Sequence, residues 1–102
     1  MKGYVYLICN PVEDTYKIGR SKNVQKRLKQ IQTGCSVELF VVRAHETNYP
    51  VQLEQMLHVR FRNKRLLNEW FKLDGNDISG FEETCKKTDE IIKAMNTEEP
   101  VR

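Results

Sequence analysis

The stretch that most constrains this chain is an apolar run near its start that ends abruptly in a turn. Gly3-Tyr4-Val5-Tyr6-Leu7-Ile8-Cys9 is rich in aromatic and β-branched residues, and Asn10-Pro11 stops it, with Glu13-Asp14 close behind. Residues of the first kind suit a pleated surface, so residues 3–9 read as a strand. Asn-Pro is turn chemistry, since proline pre-sets its own φ and asparagine bonds back onto nearby backbone. Tyr16 to Gly19 then reads as the returning strand of a hairpin. Strand alternation puts Tyr4, Tyr6 and Ile8 on one face and Val5 and Leu7 on the other. Tyr4 and Tyr6 are thereby free to line a common groove.

The rest of the chain supplies partners for that hairpin. Ser21 or Asn23 can cap a following helix, in which Val24, Leu28 and Ile31 recur at helical spacing until Thr33-Gly34 ends it. Val37 to Ala44 reads as a third strand. A second helix is expected from about Asn48-Tyr49-Pro50, with Asn48 as cap, proline early and Leu53, Met56, Leu57 and Phe61 facing inward. Trp70 to Leu73 reads as a short strand or packed extended segment, and Asp74 to Asp77 as a turn. A last helix is expected over about Ser79 to Met95, with Phe81, Cys85, Thr88, Ile92 and Met95 inward. The sum is an α/β chain of the α+β type: a small, three-stranded, mostly antiparallel sheet flanked by helices, each burying one apolar face on it. Residues 1–97 are expected to form one domain and residues 98–102 a frayed tail.

A chain of 102 residues suits one small core, and 39% hydrophobic with 30% charged residues suits a folded, water-soluble domain. No apolar run approaches the roughly 20 residues of a membrane span, and the first one is too short for a signal peptide. A cytoplasmic or nuclear location is the default expectation, with no membrane and no organic cofactor. Cys9, Cys35 and Cys85 are widely spaced and odd in number, which speaks against a disulfide scaffold or a structural zinc site. Cys85 falls at a helical apolar position, as a core residue does.

Charge is unevenly spread although the net is only +3. Lys17, Arg20, Lys22, Lys26, Arg27 and Lys29 follow Tyr16 with no acidic residue among them, and Arg60, Arg62, Lys64 and Arg65 form a second cluster. Glu82, Glu83, Asp89, Glu90, Glu98 and Glu99 fall in the last third. A positive face of this kind fits a polyanion, and Lys17, Arg20, Lys22, Lys26, Arg60 and Arg62 are the candidate nucleic-acid contacts.

The pattern resembles the GIY-YIG nuclease superfamily over roughly residues 3–73. Tyr4-Val5-Tyr6 corresponds to its first triad, with Tyr6 at the first tyrosine and Tyr4 where a glycine is usual; Lys17-Ile18-Gly19 corresponds to the second. Arg27 stands at the offset of the catalytic arginine, and Glu54 in Leu53-Glu54-Gln55-Met56-Leu57-His58 at the metal-binding glutamate. The Lys-Ile-Gly variant, Gln32-Thr33-Gly34, and Glu69-Trp70-Phe71 resemble the compact branch found in phage, large-DNA-virus and bacterial proteins.

The resemblance implies a DNA endonuclease dependent on Mg2+ or Mn2+, with DNA as partner and Tyr6, Lys17, Arg27 and His58 as catalytic candidates. Tyr6 would orient or deprotonate the attacking water, its acidity raised by Lys17 and Arg20. Arg27 would hold the scissile phosphate through its planar guanidinium, and Glu54 would hold the metal, with His58 one helical turn away. Lys17 departs from the pattern, replacing the second tyrosine, while Tyr16 beside it points to the opposite strand face. Glu69 is expected to anchor a loop. A homodimer would allow one small domain to cut both strands. The alternative is a DNA-binding module of the same fold that hydrolyses slowly or not at all; a third reading is a protein-interaction domain with a basic patch.

Overall fold

The computed structural model describes residues 2–97. Strand β1 (Gly3–Asn10) is the hub of the sheet, because it is hydrogen-bonded on both sides. Its partner β2 (Thr15–Ser21) runs antiparallel to it from Tyr4↔Ser21 to Asn10↔Thr15. The turn between them closes on Asn10, whose Oδ1 accepts from the backbone N–H groups of Val12 and Glu13, both at 3.1 Å. On the other side β3 (Phe40–Thr47) pairs antiparallel with β1, with a register shift at Leu7/Ile8.

Two further strands, β4 (Arg65–Leu67) and β5 (Trp70–Phe71), extend the sheet past β2. The sheet is therefore five-stranded, in the order β3-β1-β2-β5-β4, rather than three-stranded as the sequence suggested. All its pairings are antiparallel. β5 lies in the Trp70 to Leu73 segment expected as a short strand or packed extended segment, whereas β4 is unexpected, because three residues are too few to display the period-2 alternation by which strands are read. β3 also begins later than expected. Gln32 takes the preceding loop for itself: its side-chain amide donates to Val37 O and its Oε1 accepts from Leu39 N, each at 2.8 Å. Backbone groups bound to a side chain are unavailable for a ladder.

Helix α1 (Val24–Thr33) starts where Asn23 Oδ1 accepts from Lys26 N at 3.0 Å. Its stripe of Val24, Leu28 and Ile31 covers Tyr6, Ile8 and Leu39. Helix α2 (Pro50–Arg60) lies on the opposite face over Val5, Leu7 and Ile18, with Leu53 and Leu57 fully buried. Pro50 occupies its first turn as expected, but Tyr49 rather than Asn48 stands at the cap, and Thr47 Oγ1 accepts from Tyr49 N.

The segment expected as a turn at Asp74 to Asp77 opens a short helix, α3 (Gly75–Ser79). Asp74 and Asp77 form a reciprocal capping box there, which stabilises two otherwise unpaired N–H groups. Helix α4 (Phe81–Thr97) completes the core beneath α2 with Phe81, Cys85 and Ile92; Met95, expected inward, is exposed. Burial pushes the Cys85 thiol up to about 12. Asp89 ties this helix to β3, accepting from Thr47 Oγ1 and pairing with His45 Nε2, each at 2.7 Å. No helix among the described residues is long and apolar enough to cross a membrane. The tail expected to fray, residues 98–102, lies outside the described residues.

Candidate functional site

The site forms where β2 outruns its neighbour. β2 and β5 pair only at Tyr16↔Phe71 and Lys17↔Trp70, and Ile18 N then donates to Glu69 O at 3.0 Å. Gly19 and Arg20 continue past that point with no strand pairing on this side among the described residues. Helix α1 approaches this open edge from one face of the sheet and α2 from the other.

Tyr6 reaches the edge from β1 because Gly19 lies directly across from it in the ladder. A Cβ at Gly19 would stand 2.6 Å from Tyr6 Cζ and overlap its hydroxyl, a separation real side chains do not show. The missing side chain lets the ring lie over β2. Tyr6 is thus only 1% exposed, yet it contributes to the wall of the cleft.

The resulting cleft, about 160 Å3, is lined by Tyr6, Arg20, Arg27, Glu54 and Glu69, which arise from β1, β2, α1, α2 and the β4–β5 turn. Arg20 Nε donates to Glu54 Oε1 at 3.1 Å. Arg27 lies beside the Tyr6 hydroxyl and donates through Nη1 to Gln30 Oε1 at 3.2 Å. Lys17 Nζ lies 3.1 Å from Glu69 Oε1 just behind the wall.

Burial raises the Tyr6 hydroxyl above its ordinary value, and the Arg27 hydrogen bond and charge pull it down less than burial pushes it up. The sequence expectation of a tyrosine acidified by Lys17 and Arg20 is corrected accordingly. At neutral pH Tyr6 presents a neutral hydroxyl, able to donate and accept one proton-bearing contact but a poor base. The Glu54 carboxyl is also raised, first by burial and then by the Glu69 charge, against the opposing pull of His58 and Arg20. The Arg20 ion pair is therefore real but does not outweigh desolvation.

The structure separates the remaining sequence candidates. His58 does not line the cleft; its Nε2 donates to Ile18 O at 2.9 Å and its ring tilts against Phe71, 5.2 Å between centroids, so it fastens α2 to β2. Lys22 lies beside Tyr4 and Asn23, around the α1 end of the sheet. Lys26 is exposed on α1 next to Arg27. Arg60, the last residue of α2, stacks on Phe61, and Arg62 just past it donates to Val59 O; neither lines the cleft. Among the described residues no three His, Cys, Asp or Glu side chains gather as a metal-ligating group.

Glu69 is the cleft residue that the sequence reading missed as a functional group. One signal pointed to it: Glu69 is the sole acidic residue between Glu54 and Asp74, in a segment otherwise full of lysine and arginine. An isolated carboxylate among cations is held by one of them or by something they bind together.

Fold and site define a small α+β domain with a charge-dense cleft at an open sheet edge. The chain belongs to the T5orf172 domain family, whose model matches residues 3–96. It is 35% identical over 81 residues to uncharacterized protein 460R of Invertebrate iridescent virus 6, an overlap covering 74% of this chain and 37% of that protein. It is 27% identical over 103 residues to the putative KilA-N domain-containing protein 315L of the same virus, covering 95% of this chain and 43% of that protein. The chain thus spans less than half the length of these curated relatives. No solved structure matches it.

These findings correct the assignment to the GIY-YIG superfamily drawn from the triads: the matching family is the T5orf172 domain, and neither relative's name is that of a nuclease. The physical reason is visible in the hairpin. Tyr6 and Gly19, one from each triad, stand across from each other because the ring packs over the missing side chain, so that much of the two triads is accounted for by local packing.

Proposed function

We propose that the protein is a DNA-binding module that takes the phosphate backbone along α1 and into the edge cleft. The observation that supports it most is the placement of Arg20 and Arg27, from separate elements, on one concave wall beside the exposed Lys26. Guanidinium groups offer planar, paired donors that match phosphate oxygens, and the wall already holds Arg20 through Glu54 and Arg27 through Gln30. Side chains held before the ligand arrives lose less freedom on binding. Without a base-reading helix assigned, recognition rests on backbone and shape.

Fluorescence anisotropy of a labelled duplex across salt concentrations tests the reading. A phosphate-led interface gives a log–log slope of about −0.9 for each phosphate neutralised. Arg27→Ala should weaken binding on the order of tenfold and flatten that slope by about one, the signature of one lost phosphate contact. Salt-independent binding, or none, would refute the proposal.

A second reading, metal-assisted hydrolysis of a phosphodiester, is favoured by the meeting of Tyr6, Arg27 and Glu54 in one cleft. The donor set fits a hydrated Mg2+ or Mn2+, which is content with one or two carboxylates plus substrate oxygens; Glu54 and Glu69 would hold it. When bound, such an ion supplies charge stabilisation and an acidified water. Arg27 would grip the phosphate whose charge rises in the transition state, and Tyr6, as a neutral hydroxyl, would orient water rather than deprotonate it. Glu54→Gln should then abolish Mn2+-dependent nicking of supercoiled DNA while leaving affinity within about threefold, since only the transition state loses its partner. Nicking at an unchanged rate in that variant would remove Glu54 from the reaction.

A further inference from the structure

Lys17 belongs to the basic run that a polyanion would meet, yet the fold turns it inward. Its Nζ sits 3.1 Å from Glu69 Oε1 and 5.8 Å above the Trp70 ring, and its side chain is only 12% exposed. A lysine placed this way spends its donors on a carboxylate and an aromatic face and offers little of its ammonium to solvent. Glu69, 37% exposed, keeps an outlet into the cleft.

The backbone around Glu69 is fastened just as firmly. Its carbonyl accepts from Ile18 N at 3.0 Å. Asn68, immediately before it, adopts a left-handed φ of 55°, and Arg65 Nε donates to the Asn68 carbonyl. Asparagine tolerates that conformation better than most residues. Main chain and side chain are thus both directed to one end: a carboxylate held at the cleft wall with a cation behind it.

We infer that Lys17 is a positioning residue for Glu69, fixing that carboxylate in the cleft and cancelling its charge toward the ligand, and is not itself a DNA contact. The consequence for binding rests on the DNA-binding reading above; the positioning does not. The cleft wall carries Arg20 and Arg27 against Glu54 and Glu69, so its own charges balance, and Lys17 tips the sum positive. Without Lys17, Glu69 becomes an unpaired negative charge where a phosphate would lie, and like charges at that range repel. Glu69 also acts on its neighbours, since its charge raises both Tyr6 and Glu54.

A double-mutant cycle separates a residue that acts through Glu69 from one that touches DNA. Lys17→Met should weaken duplex binding about tenfold in the otherwise unchanged protein and less than about twofold in a Glu69→Gln background. Lys17→Arg, which retains the ion pair, should bind as the unchanged protein does. A tenfold loss in both backgrounds, with a salt slope shallower by about 0.9, would make Lys17 a direct phosphate contact and overturn the inference. If Lys17→Met does not fold, as judged by circular dichroism, Lys17→Gln takes its place in the cycle. A readout without DNA keeps the two proposals apart: side-chain couplings of Glu69 in solution NMR should report one χ1 rotamer normally and an average in the lysine variant. An unchanged single rotamer would sink the positioning role even if DNA binds. Averaging in a protein that binds no DNA would leave the positioning intact and refute the DNA-binding reading alone.

Discussion

The two faces of the sheet are built to different standards. Beneath α2 and α4, Val5, Leu7, Ile18, Leu53, Leu57, Phe71, Phe81, Cys85 and Ile92 have no exposed surface at all. Over the other face, α1 contributes no fully buried residue, and its apolar stripe rests on just Tyr6, Ile8 and Leu39. Hydrophobic burial is roughly proportional to area removed from water, so the first face holds the fold together and the second is lightly secured. The charged cleft opens at the sheet's edge and draws on both faces, Tyr6 and Arg27 from the lighter one and Arg20 and Glu54 from the other. A wall that must admit polar groups cannot also be sealed with hydrocarbon, and here it lies at the margin where the two faces of the sheet meet.

The largest test of that division is truncation on each face. Leu57→Ala should cost about 2–5 kcal/mol in thermal or urea unfolding, the range for emptying a packed site. Leu28→Ala, the corresponding cut on α1, should cost clearly less, because the half-buried site can relax and admit water. Equal losses would mean that the two faces share one cooperative core and would erase the contrast.

Gly19→Ala probes the join between core and cleft. The added methyl group collides with the Tyr6 ring, and overpacking of this kind costs about 1–3 kcal/mol. The ring must tilt away, taking its hydroxyl from Arg27, so duplex affinity should fall as well. Gly19→Ala with Tyr6→Phe should recover none of that affinity, since the hydroxyl is then absent. Wild-type affinity in Gly19→Ala alone would show that the Tyr6–Arg27 contact is dispensable for binding.

The smallest effect concerns pH. The Glu54 carboxyl is raised in the folded protein, so the fold binds its proton more tightly than the unfolded chain does. Its contribution to stability is accordingly full below the ordinary carboxylate value and declines as pH rises from there through the raised folded value. Glu54→Gln should flatten the fall in stability over that window, seen as a shallower dependence of denaturation midpoint on pH between mildly acidic and neutral buffers. Glu69→Gln should flatten it in part, because the Glu69 charge is the second cause of the shift. An identical pH profile in Glu54→Gln would locate the titration elsewhere.

What the sequence disclosed follows from which signals are local. The β1–β2 hairpin, α1 with its Asn23 cap and α2 with Pro50 in its first turn each rest on contacts within a few residues, and periodicity or capping chemistry exposes them. The meeting of Tyr6, Arg27 and Glu54 was legible through the order of the triads and their downstream companions, although the family name those triads suggested was not the one that matches. The hidden parts are long-range or very short. Glu69 reaches Lys17 across 52 positions, and nothing near either residue announces the partner. The β4 strand is too brief to alternate, whereas the aromatic pair of β5 is legible as a short extended segment. The start of β3 depends on one glutamine side chain bonding forward by seven residues, an interaction no period reveals.

The turn that carries Asn68 differs from the β1–β2 turn, which has its own left-handed residue in Asp14, in bordering the charged cleft. An added or deleted residue in the turn between β1 and β2, from which Val12 projects into solvent, would disturb a turn that lines no part of that cleft. The same event between Arg65 and Glu69 would slip the short ladder by one place and turn over what each side chain faces. Glu69 would leave the cleft and Trp70 would come out from beneath Lys17. The hairpin at residues 65–71 is therefore the segment in which chain length, more than residue identity, is held fixed by the site.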